Sequence, residues 1–200
     1  MKNTELQIEK YIKSKARGII LFPDDFMHFG TSVAIRKALQ RLVEKNKVRR
    51  IAKGIYVRPK ISKYLGEVLP TIEDIAKAIA RRDRIKIIPT GTSALHTLGL
   101  STQMPMKLVY LTDGAPREIN IGNRSLKLKK TTPKNLLAKG KISGLVIQAL
   151  KEIGKENLRQ SDKKKIFDLL MKENPKNIAH DMQLAPYWIR IIMQRNLDHD

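Results

Sequence analysis

With 200 residues, 42% of them hydrophobic, the chain can build one large domain or two small ones with packed cores. Its 40 Lys plus Arg against 19 Asp plus Glu leave a net charge of +21, a field that draws in polyanions, nucleic acid first among them. No cysteine is present, which excludes disulfides, thiol catalysis and thiolate metal sites.

Residues 1–60 hold 15 basic and 5 acidic side chains against 25 and 14 in the remainder, so net positive charge is about twice as dense there. The opening MKNTELQIEKYIKSKARG lacks the continuous apolar run of a signal peptide, and no segment approaches bilayer-spanning length. A cytoplasmic location without a membrane partner is the expectation. A first helix is expected over 4–17, with Leu6, Ile8, Tyr11 and Ile12 inward, ended by Gly18. An extended run follows over 19–22, then a short helix opened by Pro23, with Asp24 and Asp25 in its first turn complementing the helix dipole. Phe29-Gly30 breaks it, and Thr31 or Ser32 can cap the next helix.

That next helix, 32–45, carries Ile35, Ala38, Leu39, Leu42 and Val43 in one stripe, which turns Arg36, Lys37, Gln40 and Arg41 outward. Two short β-prone runs, 48–51 and 55–57, are joined through Ala52-Lys53-Gly54, where Gly54 supplies the positive φ of a three-residue hairpin loop. Helix, strand, helix, turn, helix and hairpin is the order of a winged helix-turn-helix. On that reading helix 32–45 enters the major groove of duplex DNA. Ser32, Val33, Arg36, Lys37 and Gln40 are the expected base-contacting residues, since Arg and Gln can pair bidentately with guanine and adenine. Arg41, Lys47, Arg49, Arg50 and Lys53, the last three placed at the hairpin tip, are the expected phosphate contacts.

Residues 61–70, with Gly66 and Pro70 and no clean period, read as a linker that separates domains 1–65 and 66–200. A helix is expected over 71–82, a strand over 85–88 stopped by Pro89, and a short helix from Thr90-Gly91-Thr92-Ser93 to Leu98. Three strands follow over 107–112, 118–121 and 126–130, with turns at Asp113-Gly114 and Gly122-Asn123. Ser143 is expected to cap a helix to Ile153, and Ser161-Asp162 to begin another through Lys172. Asn174-Pro175 interrupts the helical tail, and Pro186 opens a last helix carrying Tyr187, Trp188, Ile189 and Ile192. The expected class is α+β: an N-terminal winged helix-turn-helix, then a small α+β domain with a helical tail.

Thr90-Gly91-Thr92-Ser93 lacks the Gly-rich spacing and Lys of a phosphate-binding loop, and capping by Thr92 or Ser93 is the simpler reading. His28, His96, His180 and His199 show no spacing that would aim two ligands at one metal, so no metal or other cofactor is expected. A metal-dependent nuclease would need converging carboxylates and a lysine. Asp113, Glu118 and Lys127 are the candidates, but Ser125 stands where an acid is wanted and turn chemistry accounts for Asp113-Gly114. Lys127, Lys129, Lys130, Lys134, Lys139 and Lys141 form a second basic cluster, with Lys127 and Lys129 on one strand face opposite Leu126 and Leu128. It reads either as a solvated face or as a further nucleic-acid surface. Tyr187 and Trp188 read as core anchors, since the other aromatics are not interleaved with basic runs.

The segments PDDFMHFGTSVAIRKALQRLVEKNKVRRIAKGIYVRP, TGTSALHTLGLSTQMPMKLVYLTDG, INIGNRSLKLKKTTPKN and SGLVIQAL resemble the AbiEi-type antitoxins, winged-helix regulators of bacterial toxin–antitoxin loci, over about residues 15–150. Gly54-Ile55-Tyr56 followed by Pro59 is the most characteristic part. The resemblance implies an autorepressor that reads operator DNA; no enzyme is expected, given Ser125, and because one recognition helix contacts only a few base pairs the operator is expected as repeated half-sites, bound by a homodimer on DNA. It also implies a cognate toxin of nucleotidyltransferase type, countered through the second domain with or without stable contact. A nuclease-like domain targeted by the winged helix, and a plain regulator whose second domain senses or dimerises, remain alternatives at this point.

Overall fold

The computed structural model of the chain describes residues 4–194. The fold is mixed α and β and divides into two compact units, Met1–Ile79 with Asn120–Gly122, and Ala80–Ile119 with Asn123–Asp200.

The first unit begins with α1 (Thr4–Ser14), β1 (Ile20–Leu21), a 3₁₀ segment (Pro23–Phe29) and α2 (Ser32–Glu44). β2 (Arg49–Ala52) and β3 (Ile55–Val57) then pair antiparallel, and β1 adds to the far side of β3, giving the strand order β1-β3-β2. The element order is the one the sequence predicts. α2 starts where Thr31 Oγ1 accepts the Ala34 N–H at 3.3 Å, and past its C-cap Lys45 the chain turns away at Asn46, whose φ of 53° Asn tolerates better than most residues. Ile35, Ala38, Leu39 and Leu42 are buried, and they share a core with Ile8 and Ile12 of α1, Phe26, Val48 and Tyr56. Leu6 departs from expectation. Two residues from Ile8 on a helix is 200° around the axis, and Leu6 is 49% exposed.

The hairpin turn contains Lys53 and Gly54 alone, because Ala52 pairs directly with Ile55. Gly54 has φ 72°; Ala52, expected in the loop, is instead the last paired residue of β2, and the register shifts by a bulge at Ile51, between Arg50 and Ala52. Residues 61–70 are not a bare linker either: β4 (Lys60–Ser62) and β5 (Gly66–Val68) form a second hairpin, with Ile61, Tyr64 and Leu65 exposed. Strands of three residues carry too little alternation to register as a period.

α3 (Ile72–Asp83) buries Ile72, Ile75, Ala76 and Ile79 as its pattern predicts. β6 (Ile87–Thr90), β7 (Lys107–Thr112), β8 (Arg117–Ile121) and β9 (Arg124–Lys130) form one sheet in the order β6-β7-β9-β8, which belongs to the second unit except for the last two residues of β8. Pro89 does not stop β6 but pairs with Tyr110 inside it. β6 is an edge strand, where a missing N–H costs no ladder bond on the open side. β7 runs parallel to β9 with Leu108 beside Leu126 and Tyr110 beside Leu128, all four buried, so Lys127 and Lys129 fall on the opposite face as expected.

The short helix α4 (Thr92–Thr97) is followed, after the sheet, by α5 (Lys141–Ile153), α6 (Gln160–Leu170), α7 (Pro175–Met182) and α8 (Tyr187–Gln194). They share a core that includes Ala94, Val146, Leu150, Ile166, Leu170, Ile178, Ile189 and Met193. Asn174-Pro175 follows the break after α6, as expected, and also opens α7: Asn174 Oδ1 accepts the Lys176 N–H at 2.9 Å, and Pro175 sits in the first turn where its missing N–H costs nothing.

Two expected caps are filled otherwise. Ser93 Oγ accepts the Val109 N–H at 3.1 Å, tying α4 to β7, while Gly91 holds the N-cap position with no side-chain cap. Ser143 lies inside α5, and its hydroxyl donates to Asp181 Oδ2 at 2.6 Å. Asp181, fully buried, also accepts the Lys139 and Gly140 N–H groups at 2.8 and 2.9 Å, and Glu173 accepts that of Ile142 at 2.8 Å. The α5 N-terminus is therefore capped by carboxylates from elsewhere in the chain. A Cβ on Gly140 would lie 2.1 Å from Ser143 Oγ and 2.6 Å from Glu173 Oε2, so only glycine fits this crossing.

Candidate nucleic-acid interface

The spacing that buries Ile35, Ala38, Leu39 and Leu42 leaves Ser32, Val33, Arg36, Lys37, Gln40 and Arg41 exposed along the outer side of α2. Val33 is 55% exposed, an apolar side chain held out in solvent beside charged neighbours. Arg36 folds back over the first turn, where its Nε donates to Ser32 O at 3.1 Å and its terminal nitrogen to Ser32 Oγ at 3.4 Å. Gln40 Nε2 donates to Glu44 Oε1 at 3.2 Å. These are contacts within one exposed helix, and a stronger acceptor can replace them without disturbing the core.

Lys47, Arg49, Arg50 and Lys53 are also exposed. Of the three basic residues expected at the hairpin tip, only Lys53 occupies the turn. Arg49 and Arg50 open β2 at its other end, opposite Val57 and Tyr56. β2 and β3 are held to the core by Val48, Ile55, Tyr56 and Val57, all buried, with Ile51 half-buried.

Carboxylates that the sequence reading did not single out restrain part of this cationic set. Glu5 on α1 reaches Lys45 at 2.5 Å and Arg41 at 3.4 Å, and the Lys45 hydrogen bond holds its carboxyl below the usual range against a smaller opposing effect of desolvation. Glu67 on β5 pairs with Arg49, accepting from Nε at 3.3 Å. The pair lowers the Glu67 carboxyl and raises the Arg49 guanidinium. Nothing local in the sequence reveals these pairs, since Glu5 and Lys45 are separated by 40 positions. Among the described residues Lys37, Arg50 and Lys53 make no ion pair. Water-exposed pairs of this kind are weak, so a phosphate can compete for either arginine. Arg58 is spoken for: its guanidinium donates to Lys13 O at 2.9 Å and to Lys15 O, closing the end of α1.

In the second unit, the carboxylates weighed for metal chemistry are engaged separately. Asp113 Oδ1 accepts the Lys86 N–H at 2.8 Å, and Glu118 pairs with Lys107 at 2.8 Å. Among the described residues no three His, Asp or Glu gather in metal-holding geometry, and no helix is long and apolar enough to cross a membrane. His199 lies outside the described residues. Tyr187 is 75% exposed and is no core anchor, whereas half-buried Trp188 packs against the helical core.

A family model described as a family of unknown function, DUF6088, matches residues 7–178. The chain belongs to DUF6088. The match runs from α1 to α7 and so takes in both the basic helix α2 and the second unit. No curated protein matches the chain.

Proposed function

We propose that this DUF6088 protein is a duplex-DNA-binding repressor whose residues 1–65 act as a winged helix-turn-helix, with α2 in the major groove and β2–β3 as the wing. One observation carries the reading. The residues suited to base readout, Ser32, Val33, Arg36, Lys37 and Gln40, share the exposed side of a helix whose other side is fixed in the core. Arg41, Lys47, Arg49, Arg50 and Lys53 supply phosphate contacts around it. The likeness of several segments to AbiEi-type antitoxins extends the proposal: the protein represses its own operon from the cytoplasm, acts without catalysis, and counters a nucleotidyltransferase-type toxin through residues 66–200.

Selection from a random duplex library tests this. One recognition helix contacts only a few base pairs, so useful specificity needs two half-sites. The expected product is a short motif present twice, with the Arg36→Ala variant selecting a motif degenerate at one position per half-site. Recovery of unrelated duplexes with no common motif would overturn sequence-specific reading.

A further inference from the structure

α6 and α8 border an open groove beside the core they share. Ile166 and Leu170 of α6 and Ile189 and Met193 of α8 are fully buried. Beside them runs a second, half-buried stripe, with Phe167 on α6 and Trp188, Ile191 and Ile192 at three- and four-residue spacing on α8. With Leu158 these side chains floor an open groove of about 1090 Å³. Lys155, Lys163 and Lys164 stand along the groove with Tyr187, and no Asp or Glu lines it among the described residues. Lys163 and Lys164 are exposed and make no ion pair among the described residues, unlike Asp162 beside them, which is held by Arg159 at 3.0 Å.

We infer that this groove docks an acidic amphipathic helix of a partner protein. Its volume lies at the upper limit for small-molecule sites, which suits successive turns of a helix about 10–12 Å across better than a metabolite. Apolar side chains at i, i+3, i+4 and i+7 of the partner seat on the floor, and flanking Asp or Glu meet the lysines. Phe167 and Trp188 are aromatic, but the other three floor side chains, Leu158, Ile191 and Ile192, are aliphatic and give no run of stacking platforms, which suits the apolar face of a helix more than successive bases. The inference concerns the second unit and does not depend on DNA binding by α2.

Trp188 is the chain's single tryptophan, so its emission reports on the groove directly. The probe is a helical peptide about 14 residues long, with Leu along one stripe and Glu elsewhere, titrated into the full-length protein. A saturable blue shift is expected. The same peptide with Gln for Glu binds roughly tenfold more weakly. The K163E/K164E variant loses the acidic peptide and gains a Lys-bearing counterpart, a reversal that general damage to the fold would not produce. The docking proposal is overturned by no response of Trp188 to the acidic peptide, by equal binding of the Gln peptide, or by tighter binding of oligothymidine at this groove. A shift caused by deleting residues 195–200, in place of one on adding peptide, overturns it in favour of occupancy by the chain's own end. None of these outcomes touches α2.

Discussion

At the scale of single residues, two carboxylates do different work. Burial pushes the Asp181 carboxyl up, but hydrogen bonds from Ser143, His180 and the Lys139 and Gly140 amides more than offset it, and its pKa ends below the ordinary value. A depressed folded-state pKa stabilises the fold fully above the unfolded value of about 3.9, and that contribution is lost as pH falls through the lower folded value. Asp181→Asn should therefore cost about 1.5–3 kcal/mol at pH 7, the scale of hydrogen bonds to a charged acceptor. It should also flatten the acid side of the stability profile below about pH 4. Thermal melts of both proteins from acid to neutral pH measure this, and parallel profiles would show that the α5 cap owes nothing to charge. On the proposed reading, Glu5 instead competes with DNA for two cations. It occupies Arg41 and Lys45, so Glu5→Gln should tighten DNA binding and steepen the slope of log affinity against log salt by roughly 0.9 for each cation handed to a phosphate. Unchanged affinity and slope would place both cations off the DNA.

At the scale of elements, what the sequence showed was what local periodicity controls. The buried stripe of α2, the strand alternation that sets Lys127 opposite Leu126 and Leu128, and the inward face of α3 all follow from spacing within a dozen residues. What it hid was whatever depends on distant partners. Ser143 looked like an N-cap because Ser before an apolar run is one, yet the cap comes from Asp181, 42 and 41 positions from the amides it binds, and from Glu173, 31 positions from its own. Asn174-Pro175 carries a start signal that a break also carries, so α7 stayed hidden until its packing was visible. The same limit applied to the candidate interface: α2 presented its outer face plainly, whereas Glu5 and Glu67 could be matched to their cations only in three dimensions. The groove of the second unit escaped notice because Phe167 and Trp188 are far apart in sequence and each sits beside a legitimate core residue.

At the scale of the whole molecule, the proposal divides labour between operator binding and toxin antagonism. Neutralising Arg49, Arg50 and Lys53 leaves the buried Val48, Ile55, Tyr56 and Val57 in place, so the triple alanine variant should fold normally. Expressed from an unrelated promoter, it should lose repression of its operon yet still protect cells from the toxin, as read by a reporter and by growth. Loss of both together in a folded variant would refute the separation. The claim on which all of this rests is that α2 and the wing grip duplex DNA in different ways, and one set of titrations examines it most directly. Fluorescence anisotropy on the selected duplex and on random duplex, across a range of salt, would compare wild type with Arg36→Ala, Gln40→Ala and the triple variant. The account predicts that Arg36→Ala and Gln40→Ala lose about 1–3 kcal/mol of preference for the selected duplex with little change in binding to random sequence. The triple variant should keep its preference while the salt slope falls by roughly 0.9 for each phosphate contact removed. An unchanged slope in the triple variant, together with undiminished preference in Arg36→Ala and Gln40→Ala, would contradict it.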